Sequence, residues 1–305
     1  MTSEELELLK KELDLLKIEY DCGKSTSELS SFRIGGKALI CIRPSSREGI
    51  VSAIRLAKKH GVRYKLIGRG SNLLFADSGY DGALILSSGC KALKKLNDTQ
   101  IYAECGASLI HFSNFAMQEG LSGLEFASGI PGNVGGAVYM NAGAYGGEIK
   151  DVVSSCDVYD VSNDRIFTVS RNECEFAYRS SRFSKDRDLI ILSATFELDH
   201  GERDQIRESM SAFNTSRREK QPYELPNAGS TFKRGDTYIA AKLIDDAGLK
   251  GMRVGDAQVS EKHAGFIVNL GNARACDVLT LMEKIESTVF LLYGVKLERE
   301  IEYVE

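Results

Sequence analysis

Apolar and polar positions switch between two periods along this chain, and the period predicts the element. Leu6, Leu9, Leu13, Leu16 and Tyr20 recur at three- and four-residue steps among charged residues, which predicts an amphipathic helix over residues 2–20. Thr2 and Glu5 have capping-box spacing at its start, and Asp21-Cys22-Gly23 ends it. Ser45 and Glu48 form a second box, opening a helix through Ile50, Val51, Ile54 and Ala57 that stops at Gly61. A strand at 64–67 runs into the tight Gly68-Arg69-Gly70-Ser71-Asn72, an opening of βαβ type. Short strands follow at 83–86 and 101–104, then a helix at 109–119 closed by Gly120. Strands are predicted again at 158–161, 166–169 and 190–196. A helix at 204–220 marks a domain boundary near 200–220. Beyond it come a helix at 239–247, a strand at 266–269, a long helix at 275–293 and a strand at 295–303. The order predicts an α+β protein whose last part, about 100 residues, is a domain of common size.

One stretch has neither period. Residues 129–147 hold seven glycines in nineteen positions, with small side chains, Asn133 and Asn141, and almost no charge. Glycine lets another molecule approach the main chain closely. A loop this apolar is no flexible linker. It suits a large, flat, partly phosphorylated ligand held by backbone N–H groups, while a set of consecutive turns in a β domain is the plainer alternative.

Composition narrows the classes. A net charge of -4 argues against bulk nucleic-acid binding, which needs a basic face. Seven cysteines without a Cys-x-x-Cys pair read as reduced thiols, and four dispersed histidines predict no zinc site. The charged N-terminus lacks a signal-peptide core, and no run of about 18 apolar residues occurs. A cytoplasmic protein without membrane insertion is expected.

Six segments could carry chemistry. Gly68–Asn72 would offer N–H groups, a hydroxyl and an amide to phosphate oxygens, yet Leu73 stands where a Rossmann fingerprint needs glycine. The 129–147 loop is the second. Phe176-Ala-Tyr-Arg-Ser-Ser-Arg-Phe183 places Arg179 beside Tyr178, fit to clamp a carboxylate or stabilise an enolate, or simply to line a solvated turn. Lys220 to Lys233 contains Asn-Ala-Gly-Ser, which presents Ser230; with no Gly-x-Ser-x-Gly elbow, a hydrolase triad is poorly supported, but a hydroxyl can still give a proton to a carbanion. Residues 255–269 carry a lone His263, a residue more often structural than ligating. In Leu297-Glu-Arg-Glu-Ile-Glu302, strand periodicity puts Glu298, Glu300 and Glu302 on one side, where one could orient or act as an acid.

In this order and spacing the six segments resemble the UDP-N-acetylenolpyruvoylglucosamine reductases (MurB), FAD-dependent enzymes of peptidoglycan precursor synthesis, in their shorter type II form. The resemblance runs from Ser31-Phe-Arg-Ile-Gly-Gly36 to Glu300. It implies an FAD-binding fold of the vanillyl-alcohol-oxidase type in two subdomains, residues 1–75 and 76–203, with the C-terminal strand able to return to the first. It also implies an α+β substrate domain at 204–305. FAD would be held by Gly68, Arg69, Gly70, Ser71, Asn72 and Leu73, and by Gly129, Ile130, Pro131, Gly132, Asn133, Gly135, Gly136, Asn141, Ala142 and Gly143. NADPH is the implied reductant and UDP-N-acetylglucosamine enolpyruvate the implied substrate, with Tyr178, Lys220 and Arg234 as its contacts. The resemblance further implies Arg179 as enolate stabiliser, Glu300 as the assisting carboxyl and Ser230 as proton donor. A monomer is expected. Arg69 and Asp256 depart from the glycines common in the family. An FAD oxidase of the same superfamily and a flavin-binding sensor are the competing readings. The absence of His from both glycine loops weighs against a covalently linked oxidase, and the joint presence of Arg179, Ser230 and Glu300 weighs against a sensor.

Overall fold

The computed structural model describes residues 3–305, so Thr2 and the cap expected there lie outside the described residues. Two compact units emerge, each with its own apolar core. The first contains the described residues up to Asp21, Ile40–Arg69 and Gly82–Ser216; the second contains Cys22–Leu39, Gly70–Asp81 and Arg217–Glu305.

In the first unit, the opening helix is Ser3–Leu15 and not 2–20, and Glu19–Cys22 is a strand. Lys17 adopts φ 56, while Ile18 N–H donates to Leu13 O and Lys17 N–H to Asp14 O. That is a Schellman closure, with Ile18 packing back toward buried Leu13. Leu16 continues the apolar spacing beyond the last helical residue but is 51% exposed, so the pattern runs past the helix. The next helix, Arg47–Lys59, is capped by Ser46, whose Oγ accepts from Gly49 N–H at 3.1 Å, one residue later than the expected box. Its buried Ile50, Val51, Ile54 and Ala57 form the stripe read from the sequence.

Four strands form one sheet in the order Glu19–Cys22, Ala38–Arg43, Tyr80–Leu86, Tyr64–Ile67, with the last pair parallel. An antiparallel sheet of five has the order Arg165–Ser170, Val153–Asp160, Leu189–Glu197, Gln100–Glu104, Leu93–Lys95. The glycine-rich stretch is not one loop. It contains the short helix Val134–Tyr139 and a ribbon of Gly143–Ala144 with Gly147–Glu148.

The second unit holds the antiparallel sheet Asn227–Ser230, Phe266–Asn269, Ala257–Val259, Arg253–Val254. Helix Ala275–Tyr293 buries Val278, Leu281, Met282, Ile285 and Val289, the three- and four-residue spacing of a helix face. Asp77 accepts from Ala275 N–H and Cys276 N–H, satisfying two orphan donors at the start of that helix. The strand expected at 295–303 shrinks to Glu302–Val304, which pairs in parallel with Leu73–Phe75. Leu297 to Glu300 run alongside Thr231 to Lys233 through a single bridge, Phe232 to Arg299. Among the described residues, no helix is long and apolar enough to cross a membrane.

Candidate functional site

In the first unit the glycine-rich segment is built around buried main chain. Val134 N–H donates to Ala107 O and Gly135 N–H to Cys105 O, both at 2.8 Å, which seats the short helix against residues 105–107. A Cβ on Gly135 would lie 2.9 Å from Cys105 Cβ, so glycine is required there by packing, whereas a Cβ on Gly136 would meet nothing within 4 Å. Gly68 ends its strand facing Asn133, and a Cβ on it would stand 2.9 Å from Asn133 Oδ1. The Asn133 amide donates to Gly106 O. Its Oδ1 and Ser128 Oγ are buried and find no hydrogen-bond partner among the described residues. Orphaned buried polar atoms of this kind call for a partner from outside the chain. Gly129, Ile130, Gly132 and Gly143 are half-buried, Pro131 and Arg69 exposed, and Ala142 buried.

Asn141 is fully buried with φ 45. Its Nδ2 donates to Glu148 Oε2 at 3.1 Å and to Ala177 O at 3.0 Å, and its Oδ1 accepts from Lys150 N–H at 2.9 Å. Ala177 and Ser180 exchange both main-chain hydrogen bonds around the two-residue turn Tyr178-Arg179. Arg179 takes φ 50 there, donates from Nη2 to Gly143 O at 3.1 Å, and lies 5.0 Å over the Tyr178 ring. Burial pushes the Glu148 carboxyl up, but Lys150, Asn141 and the charge of Arg179 together hold it below its ordinary value. The structure therefore brings Arg179, Asn141, Gly143 and Glu148 together. Glu148 went unnoticed in the sequence, where its only signal is being the first charge after the glycines. Tyr145, at φ 52, stacks on Phe213 with ring centroids 4.5 Å apart.

In the second unit Thr231, the residue after Ser230, is bonded to Glu300 through the main chain. Glu300 N–H donates to Thr231 O at 2.9 Å, and Thr231 N–H donates to Gly265 O at 2.8 Å. Ser230 follows a bulge: Asn227 pairs with Val268 and Ser230 with Phe266, so three steps on one strand match two on the other. Gly229 absorbs the extra residue at φ +79, and Asn227 Oδ1 accepts its N–H at 3.0 Å. A glycine bulge re-aims the side chain that follows it. Ser230 is half-buried.

Asn72 holds the other side of Glu300. Its Nδ2 donates to Glu300 O at 2.9 Å, and its own C=O accepts from Glu302 N–H at 2.9 Å. Gly70 has φ +62, and a Cβ on it would lie 2.2 Å from Leu29 O, so only glycine fits. Ser71 and Leu73 are half-buried beside it. Lys220 is the exposed last residue of helix Arg203–Lys220, and Arg234 is exposed in the segment after Phe232. His263 serves its own loop: Nδ1 accepts from Gly265 N–H at 3.1 Å, the ring packs edge-on to Phe266, and burial lowers its pKa. Asp256 is structural, accepting from Asn272 N–H and pairing with Arg253.

Comparison with known proteins gives two family matches. Residues 38–170 match the family model of an FAD binding domain. Residues 221–304 match that of the UDP-N-acetylenolpyruvoylglucosamine reductase C-terminal domain. A UDP-N-acetylenolpyruvoylglucosamine reductase of Caldicellulosiruptor saccharolyticus is 44% identical over 294 residues, 96% of this chain and 94% of that protein. The protein of the same name from Pseudothermotoga lettingae is 46% identical over 274 residues, 90% of this chain and 93% of its own length. The crystal structure of such a reductase from Thermus caldophilus superposes with a TM-score of 0.79 at 31% identity, covering 94% of this chain and 99% of the other.

Proposed function

The chain belongs to the UDP-N-acetylenolpyruvoylglucosamine reductase family, and on that premise we propose that it reduces the enolpyruvyl group of UDP-N-acetylglucosamine enolpyruvate to UDP-N-acetylmuramate with NADPH as electron donor. The observation that carries this reading is the pairing of an FAD-binding domain with a second unit in which Thr231, the neighbour of Ser230, accepts from Glu300 N–H. The cofactor fits the residues present. Asn133 Oδ1 and Ser128 Oγ are buried and lack partners among the described residues, and the open side of Gly136 has room for a ligand. We assign FAD to these residues and to the main chain of Gly68–Leu73 and Gly129–Gly143. The assigned subdomains are 1–75 and 76–203, with 204–305 as the substrate domain. Residues 22–39 and 70–81 pack with the last of these.

When bound, FAD supplies the hydride that passes from NADPH to C3 of the enolpyruvyl group. The chain supplies the rest. Arg179 faces the negative charge that develops at C2 and on the carboxylate, where a fixed cation is worth more than in water. Ser230 Oγ gives the proton that C2 takes up, and the Glu300 carboxyl assists it. Lys220 meets the diphosphate, and Tyr178 and Arg234 complete the substrate contacts. We place the enzyme in the cytoplasm as a monomer in peptidoglycan precursor synthesis. Purified protein should carry FAD and, without oxygen, consume more than one equivalent of NADPH per flavin only when the enolpyruvyl substrate is present, with a product two hydrogens heavier by mass spectrometry. NADPH consumption indifferent to the substrate would overturn the proposal.

A further inference from the structure

Asn141 has no donor to spare for a cofactor. A side-chain amide carries two N–H donors, and both face protein acceptors, Glu148 Oε2 and Ala177 O. Ala177 O is also the carbonyl that closes the Tyr178-Arg179 turn through Ser180 N–H. That turn is closed by its own two hydrogen bonds, and Ser181 anchors its exit by donating from Oγ to Tyr139 O at 2.6 Å. Two contacts from one short segment dock the turn itself. Asn141 grips the base of the turn, and Gly143 O receives the Arg179 guanidinium at its tip. Asn141 is itself fixed, because Lys150 N–H donates to its Oδ1 and the residue is wholly buried.

We propose that Asn141 is a positioning residue that sets the Arg179 guanidinium against the enolpyruvyl carboxylate. The proposal rests on the reductase reading above and assigns the Asn141 side chain to the arginine and not to FAD. Misplacing a charged group by about 1 Å can slow a reaction about 100-fold, so a turn released at its base weakens the step that Arg179 serves.

The test is a double-mutant cycle on the holoenzyme. Asn141→Gly removes the amide while tolerating the left-handed backbone, and Asn141→Asp keeps the shape but has no donor when ionised. NADPH-reduced enzyme is mixed anaerobically with UDP-N-acetylglucosamine enolpyruvate, and flavin re-oxidation is followed. Asn141→Gly should slow re-oxidation about 10- to 100-fold with Arg179 present. With Arg179→Ala already in place, the same substitution should change the rate by less than about twofold, the signature of residues acting as one unit. Equal losses in both backgrounds would overturn the proposal. So would loss of flavin from both variants, since Asn141 would then serve cofactor retention. Failure of unmodified enzyme to re-oxidise would instead sink the reductase reading itself.

Discussion

Arg179 and Glu300 are held by opposite means. Arg179 sits at φ 50 on a two-residue turn, docked by one side-chain hydrogen bond from Asn141 to Ala177 O and by its own contact with Gly143 O. Glu300 lies in extended chain, with its N–H on Thr231 O and its C=O on the Asn72 amide, beside a parallel strand pair. The first arrangement depends on a few replaceable atoms. The second rests mostly on main-chain hydrogen bonds, Glu300 N–H to Thr231 O and Glu302 N–H to Asn72 O, with the Asn72 amide beside them. The arginine's setting should therefore be the more sensitive to its neighbours, and that of Glu300 the more robust.

Substitutions that strike each side can break this contrast. The largest effect is expected for Ser230→Ala, which should leave FAD reduction by NADPH intact and slow the re-oxidation step by about 100- to 10,000-fold, the range for a positioned proton donor. Loss of both half-reactions would mean that Ser230 is structural. Arg179→Ala follows, with about a 100- to 1,000-fold loss of the same step. Arg179→Lys should recover little, because an ammonium lacks the planar fork. Gly70→Ala tests the main-chain frame of the second unit. The left-handed φ alone is worth about 1–3 kcal/mol of strain, and the 2.2 Å approach to Leu29 O adds a clash, so the urea midpoint should drop clearly. Arg299→Ala removes a bidentate pair with Glu286, at 2.6 and 2.8 Å. Both partners are partly exposed, so about 1 kcal/mol is expected, with little change in rate. The smallest effect is one of pH. Glu148 titrates below its ordinary 4.5, so its contribution to stability is complete above that pH and fades as pH falls through the lowered value. Glu148→Gln should lower stability slightly at pH 7, where the carboxylate's contribution is complete, and flatten the stability profile below pH 4.5.

The two units also differ in how far the sequence discloses them. Helix Ala275–Tyr293 is legible to the residue, because its apolar stripe is strict and Gly294 stops it at φ 66. Phe266–Asn269 and the strands Gln100–Glu104, Arg165–Ser170 and Leu189–Glu197 read nearly as well as runs of β-formers, whereas 158–161 catches only the end of Val153–Asp160 and Leu93–Lys95 goes unseen. The end of the first helix does not read from the pattern. A left-handed Lys17 closes it while Leu16 prolongs the pattern. Nor does the composition of the second unit, which depends on pairing Leu73–Phe75 with Glu302–Val304, more than two hundred residues apart. Periodicity cannot report such a pairing. The helix inside the glycine stretch is hidden because glycine is a poor helix former, and tertiary contacts of Val134 and Gly135 override that propensity. Arg179, Ser230 and Glu300 emerge from the family motifs and not from any pattern of burial. What Asn72 and Asn141 do with their amides needs the fold, since no residue spacing encodes a hydrogen bond across 228 or 36 positions.

The most direct measurement is a single anaerobic turnover. Protein reduced by one equivalent of NADPH and then mixed with UDP-N-acetylglucosamine enolpyruvate should regain its yellow absorbance and yield one UDP-N-acetylmuramate per flavin. A flavin that stays bleached until oxygen is admitted would contradict the account.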